Sequence, residues 1–291
     1  MISWFGLNYK IMVKMIESIQ PSLRQLIKFK LKPVPWRQHW HKHANILLMP
    51  LVLILFISTW YLIIWVGDYP KFILPSPIDV TSEFHKTIMN GTLWRHAQVT
   101  LSEIFTGLFF GVMIATIIGY ILAKNSSLER IIAPYIVASQ AIPTVAIAPL
   151  LIIWFGSGKM SKVLICMLIV FFPALVNTIV GIRSVDKDLY DLMHSLKSSW
   201  WQTFTMLEIP SALPVLFGGL KVSVTLSVIG AVVGEFVGAD AGLGFLINQA
   251  RGLFNTPLVF VAIFSLVGIA LILYGLVIMM ERWLLRWKAY S

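Results

Sequence analysis

Five stretches of this chain run for at least 20 residues without Asp, Glu, Lys or Arg: 43–67, 104–123, 131–158, 163–182 and 252–280. About 20 apolar residues wound as a helix cross the ~30 Å hydrocarbon layer of a bilayer. A sixth stretch, 213–234, is interrupted only by Lys221. That lysine lies two turns inside the span, close enough for its stem to reach back to the interface. The pattern predicts an all-α integral membrane protein with six transmembrane helices. Hydrophobic residues make up 58% of the chain and charged residues 12%, against about 25% charged in typical globular domains. A water-soluble enzyme is excluded, because a folded chain in water must cover itself with polar groups.

Charge is concentrated at the ends. Residues 1–43 hold eight of the 23 Lys and Arg and one acid, Glu17. Arg282, Arg286 and Lys288 close the chain. An even number of spans puts both termini on one side, and the positive-inside rule makes that side the cytoplasm. The N-terminal segment carries this assignment, since the remaining basic loop residues divide almost evenly between the two sides. Residues 1–43 read as a basic cytoplasmic or interfacial extension and 44–291 as the membrane domain. Within the extension, 10–32 suits one or two short basic amphipathic helices broken at Pro21, with Trp36 and Trp40 placed for an interfacial belt. Anchoring to an anionic leaflet accounts for the basic balance, and no nucleic-acid module is visible.

The chemistry of catalysis is missing. All six histidines lie outside the apolar spans, so an intramembrane serine hydrolase has no base. His39, His41 and His43 alternate in a string that could hold a metal, but their basic interfacial setting argues against one. Gly156-Ser157-Gly158-Lys159 imitates the end of a phosphate loop without its first glycine or its final Ser/Thr. Cys166, the single cysteine, stands deep in an apolar run, so no disulfide framework is possible. Glu103 and Glu235 sit at span ends, thin support for an ion relay. Pro134, Pro143 and Pro149 crowd the third span and Pro173 marks the fourth; kinked packing and a gate-shaping bend explain them equally well.

The most patterned hydrophilic segment is 183–212. Residues 188–196 suit a short helix with Leu189, Leu192, Met193 and Leu196 on one face. A second short helix, about 199–208, presents Trp200, Trp201, Phe204 and Leu207 and is expected to stop at Pro210. Apolar faces on short exposed helices fit helix-in-groove docking to a partner. Packing on the chain's own membrane domain, or lying in the membrane interface, is the alternative.

In its spacing this segment resembles the cytoplasmic signature of bacterial ABC-importer permeases: E-A-A, three residues, G, nine residues, I-x-L-P. The frame falls on Asp191-Leu192-Met193, Lys197, Leu207, Ile209 and Pro210 with every interval kept. Asp replaces Glu, Leu-Met replaces Ala-Ala, and Lys197 stands where the family has a glycine that permits a tight turn. Other stretches are similar to the permeases for nitrate, taurine, alkanesulfonates and thiamine or riboflavin precursors. These are Leu74-Pro75-Ser76-Pro77-Ile78-Asp79-Val80, Gln140-Ala141-Ile142-Pro143 with Ala148-Pro149-Leu150, Trp200-Trp201-Gln202-Thr203-Phe204 and Gly242-Leu243-Gly244-Phe245-Leu246-Ile247. Asn255-Thr256-Pro257-Leu258-Val259-Phe260 looks more like the pyrimidine- or flavin-precursor members.

The resemblance implies a type I ABC importer permease in the bacterial inner membrane, forming the pathway for a small polar solute. Its implied partners are a second copy of the chain, two cytosolic ATPase subunits, an extracytoplasmic solute-binding protein and the lipid bilayer. The chain would bind no cofactor and be no enzyme; ATP and Mg²⁺ would be used by the ATPase. ATPase docking falls to Asp191, Met193, Leu196, Lys197, Trp200, Phe204, Leu207, Ile209 and Pro210. Gln140, Thr144, Asn177, Thr178 and Glu235 are pathway candidates, as polar groups in or beside apolar spans; helix–helix hydrogen bonding explains them as well. An ion-gradient-driven carrier or channel without an ATPase is the alternative, and a scaffold with no pathway a third.

Overall fold

The computed structural model describes residues 35–286, with side chains from Pro50 onward. The amphipathic helices expected at 10–32 lie outside the described residues, as do the side chains of Trp36, Trp40, His39, His41 and His43. Among the described residues the chain is helical, without strands. It divides into two compact units, one ending at Ile63 and the other beginning at Ile64. Helix α1 (Pro35–Gly67) supplies the described part of the first unit. Residues 51–56 along it are 57–67% exposed and wholly apolar, a surface that lipid tolerates and water does not.

The second unit opens with a device that accounts for one of the recognisable stretches. Ser76 is the N-cap of α2 (Pro77–Met89), Pro77 sits in the first turn, and Asp79 completes a capping box. The Asp79 amide donates to Ser76 Oγ at 3.2 Å, and the Ser76 amide donates to the Asp79 carboxylate at 3.2 Å. Two orphan donors are thereby satisfied. Lys71 Nζ lies 2.7 Å from Asp79 Oδ1, and this bond, with that of Ser76, holds the Asp79 carboxyl below its usual range.

Three long helices form the core. Helix α3 (Thr92–Lys124) packs on α6 (Lys159–Arg183), which packs in turn on α9 (Ile209–Gly238). Close approach is possible because α3 presents Gly107, Gly111, Ala115 and Gly119 to the contact. A Cβ on Gly107 would sit 2.6 Å from Cys166 Sγ. Ala115, Leu122, Ala174, Leu175 and Ile179 fill the space below. Without hydrophobic drive between helices in lipid, such small-residue packing is what brings them together.

The 131–158 stretch, expected as one span, is two helices. These are α4 (Ser126–Gln140) and α5 (Thr144–Phe155), bent by 90° at the break. Pro143 has no N–H to continue the ladder and disfavours helical geometry at Ile142. Among the described residues five helices are long and apolar enough to span, and six if this bent pair counts as one. Lys221 pairs with Glu281 at 2.6 Å, near the end of α11 (Thr256–Leu284). Asn255 caps α11, and Thr256 Oγ1 donates to the Phe72 carbonyl at 2.5 Å.

Candidate functional site

The 183–212 segment folds as a short helix, a tight turn and the start of a long helix. Asp186 caps α7 (Lys187–Ser195), accepting from the Asp188 amide at 3.1 Å. At the other end the Ser198 amide reaches the Met193 carbonyl at 3.1 Å and the Lys197 amide reaches His194 at 2.9 Å. This is the Schellman arrangement, which requires a left-handed residue. Lys197 occupies it with φ +53°. The turn that the family makes with glycine is therefore present here, carried by a lysine.

After Lys197, Ser199 and Gln202 form a second capping box for α8 (Trp200–Thr203). The helix expected to stop at Pro210 instead continues. A π-helical turn, Phe204–Glu208, joins α8 to α9, and the Ile209 amide bonds the Phe204 carbonyl five residues back. In a regular helix the Pro210 ring would press on the carbonyl four residues before it. The widened turn relieves that pressure and lets the helix run on to Gly238.

Glu208, unremarked in the sequence, holds this junction. It is 1% exposed, ion-paired with Lys124 at the last turn of α3, and accepts from Tyr120 Oη at 2.9 Å. Lys124 Nζ also stands 4.9 Å from the centre of the Tyr190 ring. Burial, reinforced by the Glu208 charge, pushes the Tyr190 phenol up. Arg183, ending α6, pairs with Glu129 of α4. The segment is thus clamped to α3 and α4. Its one usable sequence signal was position: Glu208 fills the variable place between Leu207 and Ile209 in the signature frame.

The clamp leaves an apolar face uncovered. Leu192, Leu196, Trp200 and Trp201 are 54–68% exposed, and Asp191 and Lys197 are exposed beside them. Trp200 stacks on Phe204 at 5.5 Å, and Phe204 meets Tyr120 edge-on at 5.3 Å. Met193, Phe204, Ile209 and Pro210 are half-buried. Leu207 is buried and belongs to the interior rather than to the exposed face.

The structure separates the pathway candidates. Asn177 and Thr178 line a cavity of about 200 Å³ between α3, α6 and α9, together with Thr116 and Ser223. Gln140 and Thr144 flank the 90° bend and are not part of that lining. Glu235 is 1% exposed in a closed polar knot. Thr100 Oγ1 donates to it at 2.6 Å and the Gly244 amide at 2.5 Å, so it fixes the start of α10 (Leu243–Gly252). The Gly242 amide donates to His96 Nδ1 at 3.0 Å. Glu103 and Lys162, both buried, adjoin this knot. Sequence spacing gave no sign that Glu103 and Glu235, 132 positions apart, would meet.

Comparison with known proteins bears on both regions. Residues 107–286 match the family model described as "Binding-protein-dependent transport system inner membrane component". The chain is 48% identical over 241 residues to the riboflavin transport system permease protein RibX of Chloroflexus aurantiacus, covering 83% of this chain and 90% of that one. It is 35% identical over 219 residues to the formylaminopyrimidine transport permease protein ThiX of Halalkalibacterium halodurans, covering 75% and 86%. An inward-facing structure of the MetNI methionine ABC transporter superposes with a TM-score of 0.60 at 18% identity, over 67% of this chain and 97% of that one.

Proposed function

The chain belongs to the family of inner membrane components of binding-protein-dependent transport systems, has the type I ABC importer permease fold, and from that premise we propose that two copies form the pathway of an ATP-driven importer. Each copy would dock one cytosolic ATPase through the 183–212 segment, with both termini on the cytoplasmic side. An extracytoplasmic binding protein would deliver the solute. The 48% identity to the relative named for riboflavin, against 31% to one named for aliphatic sulfonates, supports a vitamin-like solute over a sulfonate.

One observation carries this reading: an exposed Leu192–Leu196–Trp200–Trp201 face built on elements whose own anchors are buried. A large apolar patch on a short, firmly held helix fits a groove on a partner. ATP binding would draw the two ATPases together and carry this segment with them. The buried Glu208 and its bonds to Lys124 and Tyr120 pass that displacement to α3, while the unbroken helix through the π turn passes it to α9. Helices on either side of the cavity then tilt together, and the pathway alternates between sides. Nucleotide supplies the bias between the two arrangements; the permease itself makes and breaks no bonds.

The test is purification of the tagged chain from its native membranes in mild detergent. The reading expects an ATPase bearing a complete phosphate loop and a mass corresponding to two permeases and two ATPases. A monodisperse permease that carries its solute without any ATPase would contradict it.

A further inference from the structure

Three hydroxyl groups on α6 and α9 donate to a carbonyl one turn back, and Ser223 on α9 does not. Thr178 donates to Ala174 at 2.8 Å, Ser227 to Val224 at 2.7 Å and Thr225 to Lys221 at 3.2 Å, each to a carbonyl one turn back. Ser223 is fully buried, yet among the described residues its Oγ has no partner. A buried hydroxyl left unpaired costs about 1–3 kcal/mol, and an exception of this kind calls for an explanation. Ser223 lines the 200 Å³ cavity between α3, α6 and α9.

The other polar groups on that cavity are also incompletely used. Asn177 gives its Nδ2 to the Pro173 carbonyl at 2.8 Å, which leaves its amide oxygen to accept. Thr178 has spent its proton on Ala174 but keeps its lone pairs. Thr116 completes the polar set, and Leu216 and Phe217 are among the apolar walls. Among the described residues no Lys, Arg or His lines the cavity. The nearest such cation along α9, Lys221, is engaged with Glu281.

We infer that this cavity is a cargo site within each copy of the permease, selective for a neutral nitrogen heteroaromatic ring that hydrogen-bonds Ser223 and Asn177. An anion is disfavoured because nothing there would compensate its desolvation. A cavity of about 150 Å³ lined by apolar groups holds benzene, so this one has room for a single substituted six-membered ring. The apolar walls take the ring faces, and Ser223, able to donate and accept, matches the N–H and C=O pattern of a ring edge. The inference rests on the importer reading and narrows it to a solute class and to particular side chains.

The test uses the full chain with its ATPase and binding protein in proteoliposomes, with a formylaminopyrimidine and an alkanesulfonate as probes. Expected is ATP-dependent uptake of a heterocycle that the alkanesulfonate neither shares nor inhibits. Ser223→Ala and Thr116→Val should each raise the KM of uptake about tenfold, the equivalent of one lost hydrogen bond of ~1.4 kcal/mol, while the separate binding protein keeps its affinity. Uptake of the sulfonate, no uptake of the pyrimidine, or an unchanged KM in both variants would overturn the cavity assignment and leave the importer reading standing. Uptake that ignores ATP would remove the importer reading itself. Should the variants fail to assemble, an azido-pyrimidine crosslinked to the wild-type complex decides: labelling on α3, α6 or α9 supports the site, and labelling confined elsewhere overturns it.

Discussion

Glu208 and Lys124 stand 84 positions apart and form an ion pair at the root of the 183–212 segment. The pair is lopsided: the Glu208 side chain is 1% exposed and that of Lys124 is 38% exposed. Removing either partner therefore has unequal consequences. Lys124→Met strands a buried carboxylate with only tyrosine hydroxyls for partners, whereas Glu208→Gln leaves a lysine that can turn to water. Breaking a buried pair costs about 3–5 kcal/mol when the survivor stays buried. Thermal unfolding in detergent should show the larger loss for Lys124→Met. Equal losses would mean that the burial of Glu208 is not what matters.

Lys197 should be improvable. A left-handed residue other than glycine costs about 1–2 kcal/mol, part of which is offset by the greater unfolded freedom of glycine. Lys197→Gly is expected to stabilise the permease by about 0.5–1 kcal/mol, and Lys197→Val to destabilise it. Melting temperatures of the two variants, read against the wild type, check the order.

The capping box of α2 gives a pH dependence of definite sign. The Asp79 carboxyl lies below its ordinary value of 3.8 because of Lys71 and Ser76. A depressed carboxyl contributes stability that is fully present above its unfolded value and is lost as pH falls through the folded one. The stability difference between wild type and Asp79→Asn should hold from neutrality to about pH 4 and shrink below it. A difference that grows on acidification would reverse the assignment.

Gly242 is constrained twice, by φ +120° and by the Glu235 carboxyl, which a Cβ would overlap. Gly242→Ala should push the start of α10 off Glu235 and cost about 2–4 kcal/mol from strain and overpacking together. Hydrogen exchange concentrated at 239–252 would locate the damage there; uniform loosening of the molecule would not fit.

Charging the exposed face and charging the interior should separate docking from folding. Leu196→Asp is expected to leave a monodisperse membrane protein that no longer retains an ATPase. Leu207→Asp buries an unpaired charge and should cost the fold itself. Size-exclusion profiles with co-purification distinguish them, and a Leu196→Asp protein that still holds its ATPase would remove Leu196 from the interface.

What could be read in advance follows from range. Spans, the α7 helix and the position of the turn depend on local periodicity and on intervals of a few residues, and these were legible. The recognisable Leu74–Val80 stretch was legible as a pattern, and only the structure shows it as a helix-start device. Pro210 misled because a π turn, which has no simple sequence mark, accommodates its ring. The prolines of the third span mark a bend in the sequence, but which of them breaks the helix, and by 90°, is set by the packing. Contacts such as Glu208 with Lys124, Glu103 beside Glu235, and the unpartnered Ser223 arise from packing between distant helices. They could not be read from any one segment.

The most direct measurement is uptake into proteoliposomes that contain the permease, its ATPase and its binding protein, with ionophores present to collapse every gradient. The account predicts uptake that requires ATP inside and the binding protein outside and that persists without gradients. Uptake by the permease alone, driven by an ion gradient and indifferent to ATP, would contradict it.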